Sequence, residues 1–229
     1  MNKFTAIVLA AGSGKRMEQE VPKQYMNLCG APLMVHCLRT FQESSVNEIV
    51  LVVTPGDVDY CKKEIVDRYG ITKVTHIVEG GAQRYDSVYA GLQVINDGYV
   101  LIHDSARAFV SVDIIHRCMS GVLIDDSCVV GMPSKDTVKL TDNRRKVLST
   151  PDRSTVWIVQ TPQCFEYNLI RGAYDKIMTI GDSSVTDDAM VVEKVTDHEV
   201  HMIEGSYRNI KVTTPEDIYV GEAFLKSKG

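Results

Sequence analysis

The run Leu9-Ala10-Ala11-Gly12-Ser13-Gly14-Lys15-Arg16-Met17 places small residues and positive charge directly behind an apolar segment. Small side chains and glycines let a phosphorylated ligand approach the backbone, whose N–H groups receive its charge. Arg16 and then Lys23 add full positive charges within reach of the same loop. The two glycines alone are a weak signal, because they lack the third glycine of a dinucleotide fingerprint and the Lys-Ser/Thr end of a P-loop; a plain tight turn is the alternative. A second glycine site, Glu79-Gly80-Gly81-Ala82-Gln83-Arg84, repeats the arrangement between a strand-like and a helical stretch. A third loop, His103-Asp104-Ser105-Ala106-Arg107, brings a carboxylate suited to Mg²⁺ or a sugar hydroxyl and a guanidinium suited to a phosphate. His103 reads as structural, since its neighbours suggest no relay. Asp152-Arg153, Thr186-Asp187-Asp188 and Asn209-Ile210-Lys211 follow, each with a plainer reading: a solvated arm, a helix cap and a surface charge. The chain shows no Ser-x-Gly elbow, Cys–His pairing or metal-ligand cluster.

Loops of this kind need a sheet whose strand ends converge. Thr5 to Ala10 is apolar all round, as in a parallel strand buried on both faces. Helical spacing from Leu33 to Phe41 leads to a strand at Ile49 to Val53, a charged helical stretch from Val58 to Tyr69 and a strand at Val74 to Val78. A helix from Arg84 to Ile95, a strand at Tyr99 to Ile102, a helix from Ile114 to Ile124 and a strand at Ser127 to Met132 complete the βαβ rhythm of an open α/β sheet. The glycine loops then flank the crevice at the strand C-termini, where such sheets bind ligands. Between Pro133 and Pro162 the rhythm breaks, with strand-like pieces at Thr137 to Leu140 and Val156 to Val159 around a charged centre. A projecting hairpin fits, and because a lone hairpin is marginal, a second copy of the chain is expected to cover it, an arm folded back on its own domain being the alternative. Helices over Leu169 to Met178 and Val185 to Lys194, a strand at Glu199 to Ile203 and a capped helix from Pro215 to Leu225 follow.

The chain's 229 residues suit a single domain, 1–229, with the arm at 133–162 inserted in it. A net charge of −5 argues against a duplex-binding surface, and no apolar run is long enough to span a bilayer. With no secretory signal in the reading, a cytoplasmic protein is expected. The six scattered cysteines read as buried free thiols.

The motifs LAAGSGKRM (9–17), PKQY (22–25), GGAQRYDSVYAGL (80–92), HDSAR (103–107), KDTVK (135–139), QTPQCF (160–165), TDDA (186–189) and NIKVTTPED (209–217) occur in this order. Together they resemble the 2-C-methyl-D-erythritol 4-phosphate cytidylyltransferases of the non-mevalonate isoprenoid pathway, from Ile7 to about Phe224. The resemblance implies an open, mostly parallel, Rossmann-like nucleotidyltransferase sheet with a dimerisation arm. It puts Ala10, Ala11 and Gly12 around CTP, Gly81, Ala82 and Ser87 against the cytosine, and Asp104 at the ribose and a divalent cation, Mg²⁺. Arg16, Lys23 and Lys211 would surround the reacting phosphates, while Arg107, Arg153, Thr161 and Thr186 would hold the polyol phosphate, partly across a homodimer. It further implies in-line attack of that phosphate on the α-phosphorus of CTP, with pyrophosphate leaving. A related D-ribitol 5-phosphate cytidylyltransferase is the alternative activity, and a non-catalytic nucleotide-binding module the alternative class. Ser105 and Ala108 depart from the family's usual Ala and Pro, which loosens the expectation for Arg107.

Overall fold

Phe4–Ala10, without a polar side chain apart from Thr5, forms strand β1 and is buried along its whole length in mid-sheet. The structure is a computed structural model describing residues 2–12, 22–182 and 184–226. The other long strands are β2 (Glu48–Val53), β3 (Val74–Glu79), β4 (Tyr99–Asp104), β5 (Ser127–Pro133), β6 (Trp157–Glu166) and β7 (His201–Glu204). Their order across one seven-stranded sheet is β7-β5-β6-β4-β1-β2-β3. Only β6 runs antiparallel to its neighbours, so the expected open, mostly parallel α/β architecture is present.

The main helices are α1 (Leu33–Glu43), α2 (Arg84–Leu92), α3 (Val112–Asp125), α4 (Tyr167–Ile180), α5 (Asp188–Val195) and α6 (Pro215–Lys226). One face of the sheet packs against α1 and α3 through Met34, Phe41, Ile115 and Val122. The other packs against α2, α4 and α5 through Val88, Leu92, Tyr174 and Val191. The charged stretch after β2 is helical as expected, winding from an α turn at Val58–Tyr60 into π geometry over Cys61–Asp67. At α6, Asp217 reaches back to the N–H groups of Thr213 and Thr214, so acid and threonine cap the helix together. Five cysteines are buried free thiols, whereas Cys29 is exposed. Among the described residues no helix is long and apolar enough to cross a membrane.

The expected arm needs redrawing. Its second limb does not end at Val159: β6 runs on to Glu166 and lies inside the sheet, between β5 and β4. Pairing jumps from Val159–Gly131 to Gln163–Val129, and Pro162 sits in that bulge, where a missing N–H is tolerated. What projects is the shorter stretch between β5 and β6. Its paired strands are Leu140–Thr141 and Val147–Ser149 rather than Thr137 to Leu140 and Val156 to Val159. Leu140, Val147 and Leu148 there are 53%, 52% and 64% exposed in the single chain, so the arm is not folded back on its own core.

Candidate active site

The C-terminal ends of β1, β2, β3 and β4 open onto a cavity of about 730 Å³, a volume suited to a nucleotide-sized ligand. Ala10, Ala11 and Gly12 line it from β1, Thr54 and Pro55 from β2, and Asp104 to Ala106 from β4. The loop from Gly80 to Gln83 and Arg84 and Ser87 of α2 form a further wall. Both glycines here are required by space: a Cβ on Gly80 would stand 2.4 Å from that of Ala11, and one on Gly81 2.2 Å from that of Asp86. The Ser87 hydroxyl accepts from Gly81 N (3.2 Å) and donates to Gln83 O (3.1 Å), so it shapes this loop from behind. Gln83 and Asp86 cap α2 reciprocally, which fixes where the loop ends and the helix begins.

Asp104 is the electrostatic centre. Arg84 Nε donates to its Oδ1 at 3.1 Å, and Lys211 Nζ pairs with its Oδ2. Burial by itself raises the pKa of this carboxyl, but Arg84 and Lys211 outweigh it and hold the group well below the usual carboxylate range. Arg84 also forks onto Asp188, with both N–H···O distances 2.8 Å. Asp188 is fully buried and accepts the Tyr174 hydroxyl at 2.6 Å. Burial opposes the charge on Arg84, yet its two aspartates raise its pKa well above the ordinary value.

His103 explains how Asp104 is aimed. Burial lowers its pKa to about 4, so the ring is neutral near pH 7. Nε2 lies 3.1 Å from the carbonyl of Arg107 and therefore donates; Nδ1 then accepts the Thr161 hydroxyl at 3.0 Å. That hydroxyl in turn accepts Asp104 N at 3.1 Å. The chain Asp104 N–H, Thr161 O–H, His103, Arg107 C=O leaves the imidazole no nitrogen for proton transfer. His103 is structural, as its sequence setting suggested.

The expected site residues fall into groups. Ala10, Ala11, Gly12, Lys23, Gly81, Ala82, Ser87, Asp104 and Lys211 line the cavity together. Lys23 reaches Val212 O at 3.5 Å, and its turn is anchored by Tyr25, whose hydroxyl donates to Asp57 at 2.7 Å. Lys211 thus belongs to the site, not to the solvated surface. Thr161 and Arg107 stand behind Asp104, off the cavity lining. The Arg107 guanidinium donates to the carbonyls of Asn209 (2.8 Å) and Val159 (3.1 Å), which fixes its pose despite Ser105 and Ala108 beside it. Arg153 and Thr186 also lie off the lining: the first donates to Lys135 O (3.3 Å) beside the arm, and the exposed second faces Met190 Sδ (3.6 Å). Arg16 lies outside the described residues. Sequence reasoning missed Arg84 as a site residue, and missed its pairing with Asp188. Of the two adjacent acids, Asp187 does cap α5, accepting Met190 N at 3.0 Å, while Asp188 carries the ion pair.

The described residues alone do not make a resident Mg²⁺ site. Among the described lining residues Asp104 is the one carboxylate, and both of its oxygens are engaged by cations. Direct ligation by Asp104 would compete with Arg84 and Lys211 for its two oxygens.

The sequence profile of 2-C-methyl-D-erythritol 4-phosphate cytidylyltransferase matches residues 4–227. A protein of that name from Lachnoclostridium phytofermentans is 47% identical over 227 residues, covering 99% of this chain and 97% of that protein. Another from Lachnospira eligens is 46% identical, covering 97% and 99% respectively. Among solved structures, 4-diphosphocytidyl-2C-methyl-D-erythritol synthase from Anaerococcus prevotii superposes with a TM-score of 0.86 at 32% identity, covering 98% of this chain and 96% of that one.

Proposed function

The chain belongs to the 2-C-methyl-D-erythritol 4-phosphate cytidylyltransferase family of CTP-dependent enzymes, and from that membership we propose that it joins 2-C-methyl-D-erythritol 4-phosphate to the cytidylyl group of CTP. The products are 4-diphosphocytidyl-2-C-methyl-D-erythritol and pyrophosphate. The observation that carries this reading is Asp104 held between Arg84 and Lys211 at the end of β4, facing the glycine-walled loop of β3.

CTP lies with its base against Gly80–Ala82 and its ribose near Asp104. Backbone groups of Gly81 and Ala82 read the cytosine edge, with Ser87 holding the loop in shape. The phosphates reach Ala11 and Gly12, Lys23 and Lys211, and Arg16 of the same glycine-rich run. The acceptor phosphate is already ionised near neutral pH and attacks the α-phosphorus in line as pyrophosphate departs. No general base is needed, in keeping with a described lining free of His and Cys. The protein's work is to bring two polyanions together and to stabilise charge developing on the transferred group and the leaving oxygen. A divalent cation, Mg²⁺ in this reading, would be held mainly by the triphosphate itself and would supply partial neutralisation of its charge.

The active species is a homodimer in cytoplasm-like conditions. The uncovered Leu140, Val147 and Leu148 supply the arm's contact surface, and Arg153 and Thr186 complete the acceptor site in that assembly. Pyrophosphate release measured with CTP, Mg²⁺ and each of 2-C-methyl-D-erythritol 4-phosphate and D-ribitol 5-phosphate in parallel tests the substrate. Far higher kcat/KM is expected with the first. Equal or higher kcat/KM with ribitol phosphate overturns the acceptor assignment, and equal use of UTP overturns the cytidylyl assignment.

A further inference from the structure

Three thiols from three elements meet in the core on the α1/α3 face of the sheet, away from the cavity. Cys118 comes from α3, Cys128 from β5 and Cys164 from β6, and strand register sets Cys164 directly opposite Cys128. Their sulfur atoms all lie within 4.8 Å of one another, and none of the three residues is more than 1% exposed. All three are free thiols, and Leu101, Ile115, Val122 and Val130 belong to the same apolar cluster.

Three sulfurs bound at about 2.3 Å to one pyramidal central atom would sit about 3.5 Å apart. Starting within 4.8 Å of one another, the sulfurs have to close by no more than about 1.3 Å to bind a common atom. Charge selects which atom. A zinc tri-thiolate leaves a net negative charge and asks for a fourth ligand, and a cuprous tri-thiolate leaves a larger one. An uncompensated charge in apolar surroundings is strongly disfavoured. Trivalent arsenic takes three sulfurs, needs no fourth donor and gives a neutral, pyramidal product.

We propose that Cys118, Cys128 and Cys164 form a buried trithiol site for trivalent arsenic. Arsenous acid exchanges its three hydroxyl groups for three thiolates. Three As–O and three S–H bonds break, three As–S bonds form, and the protons leave in three waters, with no oxidant or reductant. Because the sulfurs are covered, neutral arsenous acid enters when α3 lifts from β5 and β6, so capture is slow and its rate saturates with arsenite. The closed product ties these elements together and stabilises the fold. None of this depends on the reading of the cavity, since binding is detected without turnover.

The test is intact-mass measurement of the full chain, kept reduced and anoxic, after folding from denaturant in sodium arsenite and removal of the excess. One retained arsenic with loss of three hydrogens is expected, together with a rise in unfolding temperature. Cys118→Ala and, separately, Cys164→Val each remove one leg and should cut retention at least tenfold. Cys37→Ala, a buried thiol outside the cluster, should leave it unchanged and serves as the control for folding. If no arsenic is retained, or if both Cys118→Ala and Cys164→Val retain it as the unsubstituted chain does, the site does not exist. Should either of these variants fail to fold, a Cys29→Ser, Cys37→Ala chain decides the matter: retention there supports the cluster, and loss removes it.

Discussion

The cavity wall and the arm follow opposite rules. Around Asp104 the polar side chains are buried and closely paired: Arg84 with two aspartates, Thr161 and His103 with backbone, Gln163 with the N–H groups of Asp188 and Ala189. Around Val147 and Leu148 the apolar side chains face outward. Among the described residues, the first region finds its partners within one chain. The second carries apolar residues that their own chain leaves more than half exposed. In the proposed reaction this divides the labour, with nucleotide recognition preorganised on the sheet and acceptor recognition dependent on the assembly.

The sharpest way to break that division is to unbuild the wall. Asp188→Ala removes a fully buried carboxylate, strips the part-buried Arg84 guanidinium of its forked partner and leaves Tyr174 without an acceptor. Removing one side of a buried pair costs about 3–5 kcal/mol. Urea unfolding should show a loss of that size. A loss below about 1 kcal/mol would mean that this network does not hold the wall together.

A slightly smaller effect is expected on turnover. Lys23→Ala and Lys211→Ala should keep the fold and lower kcat by roughly 10²–10³, about 3–4 kcal/mol of lost transition-state stabilisation. Steady-state kinetics on chains with unchanged circular dichroism decide it. Near-normal kcat in both would leave the cavity as a binding pocket without the charge chemistry assigned to it.

How much of this was legible depends on sequence separation. The glycine loops and His103 to Arg107 were readable because each is a contiguous run at a strand end. The arm's root was misplaced because Pro162 looks like an ending, and only the partner strands reveal it as a bulge within β6. Arg84 and Asp188 are 104 residues apart, and nothing local distinguishes their ion pair from a charged helix start and an ordinary cap. The family resemblance put Thr161 against the polyol phosphate, and only the fold reveals that its hydroxyl bonds to Asp104 N–H and His103.

The buried relay can be tested by pH. His103 titrates in the unfolded chain near 6.5 but in the fold only near about 4. Between these values the unfolded state binds the extra proton, so stability is complete above the window and falls as pH drops through it. The full loss is up to about 3 kcal/mol. The depressed carboxyl of Asp104 adds its own loss only lower, as pH falls through the ordinary carboxylate range. Unfolding free energies from pH 7 to 4 should therefore decline less in His103→Gln than in the parent chain. Parallel slopes would remove His103 from the account.

The mildest substitution reads the other side of the comparison. Arg153 is exposed in the single chain and bonds only to the Lys135 carbonyl within it, at 3.3 Å among the described contacts. If the assembled enzyme uses it on the acceptor phosphate, Arg153→Ala should raise KM for the polyol phosphate roughly tenfold, the scale of one charge-assisted hydrogen bond. KM for CTP should not move, because no residue of the arm is among the described residues lining the cavity. Leu148→Asp, which places a charge where a second copy is expected to pack, should lower the sedimentation coefficient at assay concentration and reproduce the same one-sided KM change. Agreement between the two variants would tie acceptor binding to assembly. A rise in KM for CTP with either one would show that the wall and the arm are not independent, and a fully active monomeric Leu148→Asp enzyme would show that the arm is not needed at all.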